Sequence, residues 1–172
     1  MSKDGKTFFA LAVPRVSYEM PDGCERIESK AFASSLELED VRLPDTVKEI
    51  YAHAFARTKL LSFKAPQGLK HIGRRAFYRC KKLSDLELNE GLIGIDDEAF
   101  TETALESLQL PASLYDLSKT TFDKTALSFA QGRGSCTVAP GGNLRFDKYS
   151  ALYRTSECTG QKELVCMMGT AP

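Results

Sequence analysis

The sequence has no net charge and no long hydrophobic run. Its 23 basic and 23 acidic residues cancel, so no overall field attracts nucleic acid or an anionic membrane surface. The longest early apolar run, from Phe8 to Val13, is too short for a membrane span or for the core of a signal peptide. The sequence therefore predicts neither nucleic-acid binding nor membrane insertion, and it contains no export signal.

Cysteine and histidine are too few and too scattered to indicate a disulfide framework or a zinc site. No CxxC motif occurs, and the number of cysteines is odd. They stand at Cys24, Cys80, Cys136, Cys158 and Cys166. The two histidines, His53 and His71, do not share a zinc-ligand spacing with them. Free thiols are therefore expected, and they favour a reducing or anaerobic setting.

Signatures of catalysis are also missing from the sequence. There is no G-x-S-x-G motif, Walker loop or H-E-x-x-H motif, and the segment Gly132-Arg-Gly134 is too short to cradle a phosphate. His53 and His71 occupy different positions relative to the repeat described below, so a shared role is not expected. The sequence predicts no catalytic residue, no cofactor and no metal, and hence no enzyme.

A repeat of 22 or 23 residues dominates the chain. Phenylalanine recurs with spacings of 23, 22, 23 and 22 residues at Phe32, Phe55, Phe77, Phe100 and Phe122. Eleven residues before each one stands Pro21, Pro44, Pro66, Asn89 or Pro111. A unit this short cannot bury its own apolar face, so successive copies must stack into a solenoid in which the phenylalanines form an internal spine.

The apolar pattern within each copy predicts where its strand lies. The spacing L-x-x-L-x-L, seen at Leu83, Leu86 and Leu88, predicts a short strand with alternating inward and outward side chains. Stacked copies then form a parallel sheet along one side of the solenoid, with short strands and turns on the other. The segment from Ile72 to Cys80 fits a second short strand followed by a helical turn, but periodicity alone does not decide its conformation.

The unit I-G-x-x-A-F-x-x-C-x-x-L-x-x-L-x-L, from Ile72 to Leu88, resembles the BspA-like leucine-rich repeat. The resemblance covers residues 16–130 and implies an α/β leucine-rich repeat solenoid. We expect a single domain over residues 1–172, with an N-terminal flank (1–20), about five repeats (21–130) and an irregular C-terminal unit with a hairpin (131–172). The flanks also resemble parts of such irregular units, which implies a window of a longer array.

The resemblance implies a noncatalytic adhesion or protein-interaction module at the cell surface, with a protein or glycan as its macromolecular partner. Two alternatives stay open from the residues. One is an architectural spacer with no ligand of its own, and the other is an intracellular regulatory repeat array, which free cysteines would suit. A monomer, or a chain that associates weakly with itself, is expected.

The outward positions of the predicted strands are the candidate binding surface, because leucine-rich repeats usually bind through this side of the sheet. These positions hold eight polar residues: Asp40, Arg42, Ser62, Lys64, Asp85, Glu87, Ser107 and Gln109. None is aromatic, although Tyr and Trp commonly anchor tight interfaces. A weak, polar binding surface and a merely solvated one are both compatible with this composition.

Cys80 lies beside Arg79, Lys81 and Lys82, and positive neighbours of this kind can activate a thiol. The equivalent position in the other repeats holds a small, weakly polar residue: Ser35, Thr58, Thr103 or Thr125. We therefore predict a structural thiol that packs in the turn and donates to a neighbouring carbonyl.

Charge is strongly segregated along the chain. Nine basic residues and no acid lie between Arg57 and Ser84, whereas nine acids and no base lie between Leu83 and Ser118. An anionic partner would suit the basic block, but the repeat spacing favours ion pairs between adjacent repeats. Single predicted pairs are Lys64–Glu87 and Arg75–Glu98, and two longer columns predict Arg74–Asp97–Lys119 and Arg79–Glu102–Lys124. This would leave Lys59, Lys70, Lys81 and Lys82 unpaired.

Overall fold

A computed structural model describes residues 1–13, 15–33, 35–127, 134–146, 151–155 and 162–167. It is a solenoid in which each repeat contributes two short strands, one to each side. The strands of the L-x-L segments are β2 (Ser17–Glu19), β4 (Asp40–Arg42), β6 (Ser62–Lys64), β8 (Asp85–Glu87), β10 (Ser107–Leu110) and β12 (Ser135–Val138).

The strands of the opposite side form one parallel sheet of six. In their order across the sheet they are β1 (Thr7–Phe8), β3 (Arg26–Ile27), β5 (Glu49–Ile50), β7 (His71–Ile72), β9 (Gly94–Ile95) and β11 (Asp116–Leu117). The second residue of every strand is buried, so this column of apolar residues lines the core. The predicted parallel, stacked arrangement of the repeats is confirmed.

The L-x-L strands pair in parallel as β2–β4, β6–β8 and β10–β12. The pairs lie side by side, because backbone hydrogen bonds also join repeats across the gaps between them. The N–H of Leu61 donates to the carbonyl of Glu39 at 3.2 Å, and that of Ala104 donates to Leu83 at 3.0 Å. These strands therefore present a continuous series of outward side chains along one side of the solenoid.

The phenylalanine spine is the centre of the core. All five predicted rings stack on their neighbours with interplanar angles of 7° to 12° and centroid distances of 4.7 to 5.9 Å. Phe8 extends the stack beyond the predicted five, since its ring lies 4.9 Å from that of Phe32. It reaches this position from β1, where it pairs with Ile27, and so closes the spine at its N-terminal end.

The α/β assignment is wrong, because the described residues contain no helix. After Ile72 the chain makes a series of tight turns in which every second backbone N–H group donates to the next repeat rather than within its own. Those of Arg75, Phe77 and Arg79 donate to carbonyls of the next repeat at 2.8 to 3.0 Å. Arg75 and Arg79 have φ values of 56° and 61°, a left-handed conformation that an α-helix does not contain. Of the residues that the structure describes, none forms a helix suited to span a bilayer.

An antiparallel unit packs on the last repeat. Strands β13 (Leu144–Phe146), β14 (Ala151–Thr155) and β15 (Lys162–Met167) form a three-stranded sheet in this order. Leu144 and Leu152 are buried in the common core. Arg154 lies 5.2 Å from the ring centre of Tyr115 and 3.6 Å from the carboxylate of Asp116. These contacts cover the C-terminal end of the repeat stack.

Candidate functional site: the polar strand surface

All eight predicted surface residues lie on one face of the solenoid. Each L-x-L strand buries its central residue and exposes the residue on either side, as a strand with alternating side chains must. The four buried residues are Val41, Phe63, Leu86 and Leu108. We call the face formed by the outward side chains of β2, β4, β6, β8, β10 and β12 the polar strand surface.

Strand register arranges this surface in two rows. The first, the serine–aspartate row, holds Ser17, Asp40, Ser62, Asp85, Ser107 and Ser135. The second, the mixed row, holds Glu19, Arg42, Lys64, Glu87, Gln109 and Thr137. Neighbours within a row lie on adjacent strands, which are about 4.8 Å apart in a sheet.

Sequence reasoning missed the end members of both rows. The signal for Glu19 is present, since it stands two residues before Pro21, as Arg42 stands two residues before Pro44. Thr137 has no such signal, because β12 follows a longer, irregular connection and precedes Pro140 by a different spacing. Only its parallel pairing with β10 places it beside Gln109.

The two rows differ in how their side chains are engaged. In the mixed row, the Lys64 ammonium lies 2.9 Å from the Glu87 carboxylate. In the serine–aspartate row, no side chain makes a hydrogen bond or an ion pair within the described part of the chain. The carboxylates of Asp40 and Asp85 and the intervening hydroxyls therefore face solvent with their hydrogen-bonding capacity unused.

Three depressions lie along the same surface. One of about 450 Å³ is lined in part by Asp40, Arg42, Ser62 and Lys64. A second, of about 310 Å³, is lined by Asp85, Glu87, Gln109 and neighbouring residues. A third, of about 190 Å³, lies at the β2–β4 end. The outward side chains thus stand around concavities, a shape that suits contact with a ligand.

Cys80 is a structural residue, as predicted. Its side chain is fully buried, and burial raises the pKa of its thiol to about 11. Its Sγ donates to the carbonyl oxygen of Phe55 at 3.0 Å and lies 3.3 Å from Oγ1 of Thr58. Thr58 and Thr103 bond to the phenylalanine carbonyl of their own turn at 2.9 and 2.8 Å. The thiol thus occupies the same column of small side chains but bonds to the phenylalanine carbonyl of the preceding repeat, and its positive neighbours do not activate it.

Among the side chains that the structure describes, the other cysteines and the histidines form no site either. Cys24 and Cys136 are buried, and Cys158 lies outside the described residues. His53 lies in a turn, where burial and then Arg75 lower its pKa. His71 projects outward from β7 over Gly94. Among the described residues, no group of His, Cys, Asp or Glu side chains is arranged to hold a metal ion.

Ion pairs between adjacent repeats neutralise many of the basic and acidic side chains that are segregated along the sequence. Arg75 binds Glu98 through two hydrogen bonds of 3.0 and 2.8 Å, and Arg79 binds Glu102 at 3.1 Å. Lys124 reaches Glu102 from the following repeat at 3.4 Å. We call this set the ion-pair ladder. Four of the six predicted pairs are confirmed, including Lys64–Glu87 and Lys124–Glu102.

Two details of the charge prediction are wrong. Neither Arg74 nor Lys119 pairs with Asp97, because its carboxylate accepts a hydrogen bond from the Ser118 hydroxyl. Arg74 instead lies 3.6 Å from Glu98. Two of the lysines expected to be unpaired also have partners. Lys59 contacts Glu37 at 2.6 Å, and Lys82 contacts Glu39 at 3.4 Å. The basic block is therefore largely neutralised by the protein itself.

Acid is expected to weaken the ion-pair ladder. The hydrogen bond from Arg75 holds the pKa of Glu98 below its ordinary value of 4.5. Burial raises the pKa of Glu102, but Arg79 and Lys124 outweigh this effect and lower it below 4.5. The folded state therefore binds these protons less tightly than the unfolded state. The stabilisation is complete above the unfolded-state pKa and is lost as the pH falls through the folded-state values.

Urea unfolding of the wild type and of Glu98→Gln/Glu102→Gln, measured at a series of pH values below neutrality, tests the ladder. The double variant should lose less stability than the wild type as the pH falls below the ordinary glutamate pKa. Glu106→Gln serves as the control, since this exposed carboxylate makes no ion pair with the described residues. Equal acid dependence in the double variant and the wild type would contradict the assignment.

Comparison with known proteins agrees with this geometry. The family model for the BspA type leucine rich repeat region matches residues 5–128 in six copies. The match begins within the predicted N-terminal flank, where β1 and β2 already align with the strands of the later repeats. A search of curated protein sequences finds no match.

Solved structures share the fold at low sequence identity. A leucine rich cell surface protein from Faecalibacterium prausnitzii is 24% identical, with a TM-score of 0.68 over 84% of this chain and 36% of that one. The pneumococcal vaccine antigen PcpA is 21% identical, with a TM-score of 0.69 over 87% and 38%. The T. pallidum leucine rich repeat protein TpLRR is 22% identical, with a TM-score of 0.56 over 77% and 65%. The chain spans little more than a third of the first two structures.

Proposed function

Because this chain belongs to the BspA-type leucine-rich repeat family, we propose that it is a noncatalytic interaction module of a cell-surface adhesion protein. It binds a macromolecular partner, a protein or a glycan, through the polar strand surface. The similar folds of a leucine rich cell surface protein and of a vaccine antigen support the assignment to a cell surface. They support it at the level of fold, since the identities are below 25%.

One observation carries the choice of surface. The outward side chains from Asp40 to Gln109 are all exposed and stand around depressions, and a whole row of them makes no hydrogen bond or ion pair with the residues that the structure describes. Elsewhere, exposed charges are often paired, as in the ion-pair ladder and in the contacts of Glu25 with Lys6 and Lys48. A rigid array of unengaged polar groups can bind a partner without first breaking internal contacts, which lowers the cost of binding.

A binding screen with two matched charge-reversal variants tests this proposal. Purified chain is assayed against immobilised matrix proteins and glycans, together with Arg42→Glu/Asp85→Arg on the polar strand surface. The control is Lys119→Glu/Asp123→Arg, which makes matching charge reversals at exposed positions after β11. A partner found in the screen should bind the surface variant at least about tenfold more weakly, which corresponds to about 1.4 kcal/mol. The control should bind as the wild type does.

The other outcomes decide between the alternatives. No binding to any member of the screen would support an architectural spacer. Equal losses in both variants would place the binding site elsewhere on the chain. Fractionation of the native source then tests the surface assignment, since recovery of the protein in the intracellular fraction would support a regulatory array. That the chain is a window of a longer array stays a prediction.

A further inference from the structure

The carboxylates on the two sides of the solenoid are in different states. Glu25, Glu98 and Glu102 each contact two basic side chains from neighbouring repeats. Asp40 and Asp85 contact no basic side chain in the described part of the chain, although both are exposed on the polar strand surface. The solenoid therefore neutralises these three glutamates but leaves Asp40 and Asp85 available on the polar strand surface.

The charges of the mixed row balance one another, whereas those of the serine–aspartate row do not. In the mixed row, Lys64 pairs with Glu87 at 2.9 Å, and Arg42 stands opposite Glu19 in the register of β2 and β4. The serine–aspartate row contains two carboxylates, four hydroxyl groups and no cation. Asp45 and Glu90, which line the adjoining depressions, add further negative charge. The surplus charge of the polar strand surface is thus negative.

The same row lacks the groups that bind other kinds of ligand. It offers no aromatic ring on which a sugar could stack, and no apolar side chain for a hydrophobic anchor. An anionic partner would need cations, and this row holds none. Carboxylates and hydroxyls together suit cationic side chains and peptide N–H groups.

We propose that the serine–aspartate row binds an extended, basic polypeptide segment whose Lys or Arg side chains engage Asp40 and Asp85. This inference rests on the proposed function and names the chemistry of its partner. Asp40 and Asp85 are two strand steps apart, which is about 10 Å. A polyproline II segment advances about 9 Å in three residues and returns to the same side. Cations spaced three residues apart therefore match the two carboxylates, and the intervening Ser62 hydroxyl faces the segment between them.

A fluorescence anisotropy titration tests the match in charge and in spacing. The probe is a labelled peptide of repeated Lys-Pro-Ser triplets, and it is compared with a peptide of equal composition whose lysines are adjacent. The triplet peptide should bind more tightly, and binding should weaken as salt is raised from about 20 mM to about 300 mM. Asp40→Asn/Asp85→Asn should weaken its binding by about three- to tenfold, as expected for two exposed ion pairs.

The control variant is Glu28→Gln/Asp123→Asn, which also removes two carboxylates but from segments that follow strands of the six-stranded sheet. It should bind within about twofold of the wild type. Equal losses in the two double variants would overturn the inference, as would preferential binding of a Glu-Pro-Ser peptide or of heparin. If a screened partner depends on the polar strand surface while the lysine peptide does not bind, the basic segment is wrong and the proposed function stands. If no ligand responds to changes on this surface, both fail.

Discussion

Replacing Phe77 by alanine is expected to lower the free energy of unfolding by about 3–5 kcal/mol, the range for truncating a fully buried phenylalanine. The Phe77 ring is in contact with the rings of Phe55, Phe63 and Phe100, at centroid distances of 5.2, 4.6 and 5.1 Å. Its loss therefore removes apolar burial and interrupts the spine in the middle of the array. Because repeats stabilise one another only through nearest neighbours, this interruption should also reduce the cooperativity of unfolding.

Phe122→Ala is the matched control for this experiment. Among the described side chains, the one ring that stacks on Phe122 is that of Phe100, at 5.9 Å, and a small part of Phe122 is exposed. Its truncation should cost less than that of Phe77 and should leave the remaining repeats cooperative. Urea unfolding followed by circular dichroism measures both quantities. Equal losses at the two positions would show that the rings contribute independently and that the continuous stack adds nothing.

Replacing Asn89 by proline is expected to destabilise the protein by about 1–2 kcal/mol, although proline occupies this position in the other four repeats. The Asn89 side chain is buried, and its Nδ2 donates to the carbonyls of Gln67 and Leu69 at 3.0 and 3.1 Å. Proline would leave both acceptors without this donor. The stabilisation of about 0.4–1 kcal/mol that proline brings by restricting the unfolded chain is too small to compensate.

Pro66→Asn provides the comparison, since it makes the reverse substitution at the equivalent position of the preceding repeat. There Gly68 lies so close to the preceding turn that an added Cβ would stand 2.2 Å from the carbonyl oxygen of Asp45. Backbone therefore occupies the space that the Asn89 amide fills in the next repeat, and Pro66→Asn should bring no gain in stability. A wild-type or higher unfolding midpoint for Asn89→Pro would contradict the importance of the two hydrogen bonds.

The repeat was predictable from the sequence because stacking imposes the same burial on every copy. Phe32 and its four equivalents had to be internal, since no single repeat could cover them. The same reasoning correctly identified Cys80 as a packed thiol and placed Arg75 beside Glu98. Phe8 was missed because it lies outside the phenylalanine spacing and enters the spine from a different position of the turn, the strand β1.

The wrong predictions concern ion-pair partners and the turn after Ile72. Side-chain length and backbone conformation decide these contacts, and the repeat period does not specify either. The period places Arg74 beside Asp97, but a competing hydroxyl on Ser118 takes that carboxylate. Lys82 reaches Glu39, which is 43 residues away in the chain and therefore nearly two repeats back. A helical turn after Ile72 satisfied the apolar pattern, but the actual turns send alternate N–H groups to the next repeat.

The amino-acid sequence by itself determined that this chain is a stack of short units, which residues are internal, and which eight polar residues share one face. These follow from periodicity, because any translationally repeated unit must bury the same positions and expose the same positions. Only the tertiary structure decided which of those polar groups are already engaged. Lys64 pairs with Glu87, whereas Asp40 and Asp85 make no such contact with any described residue, and both outcomes depend on distances between repeats that no spacing along the chain specifies.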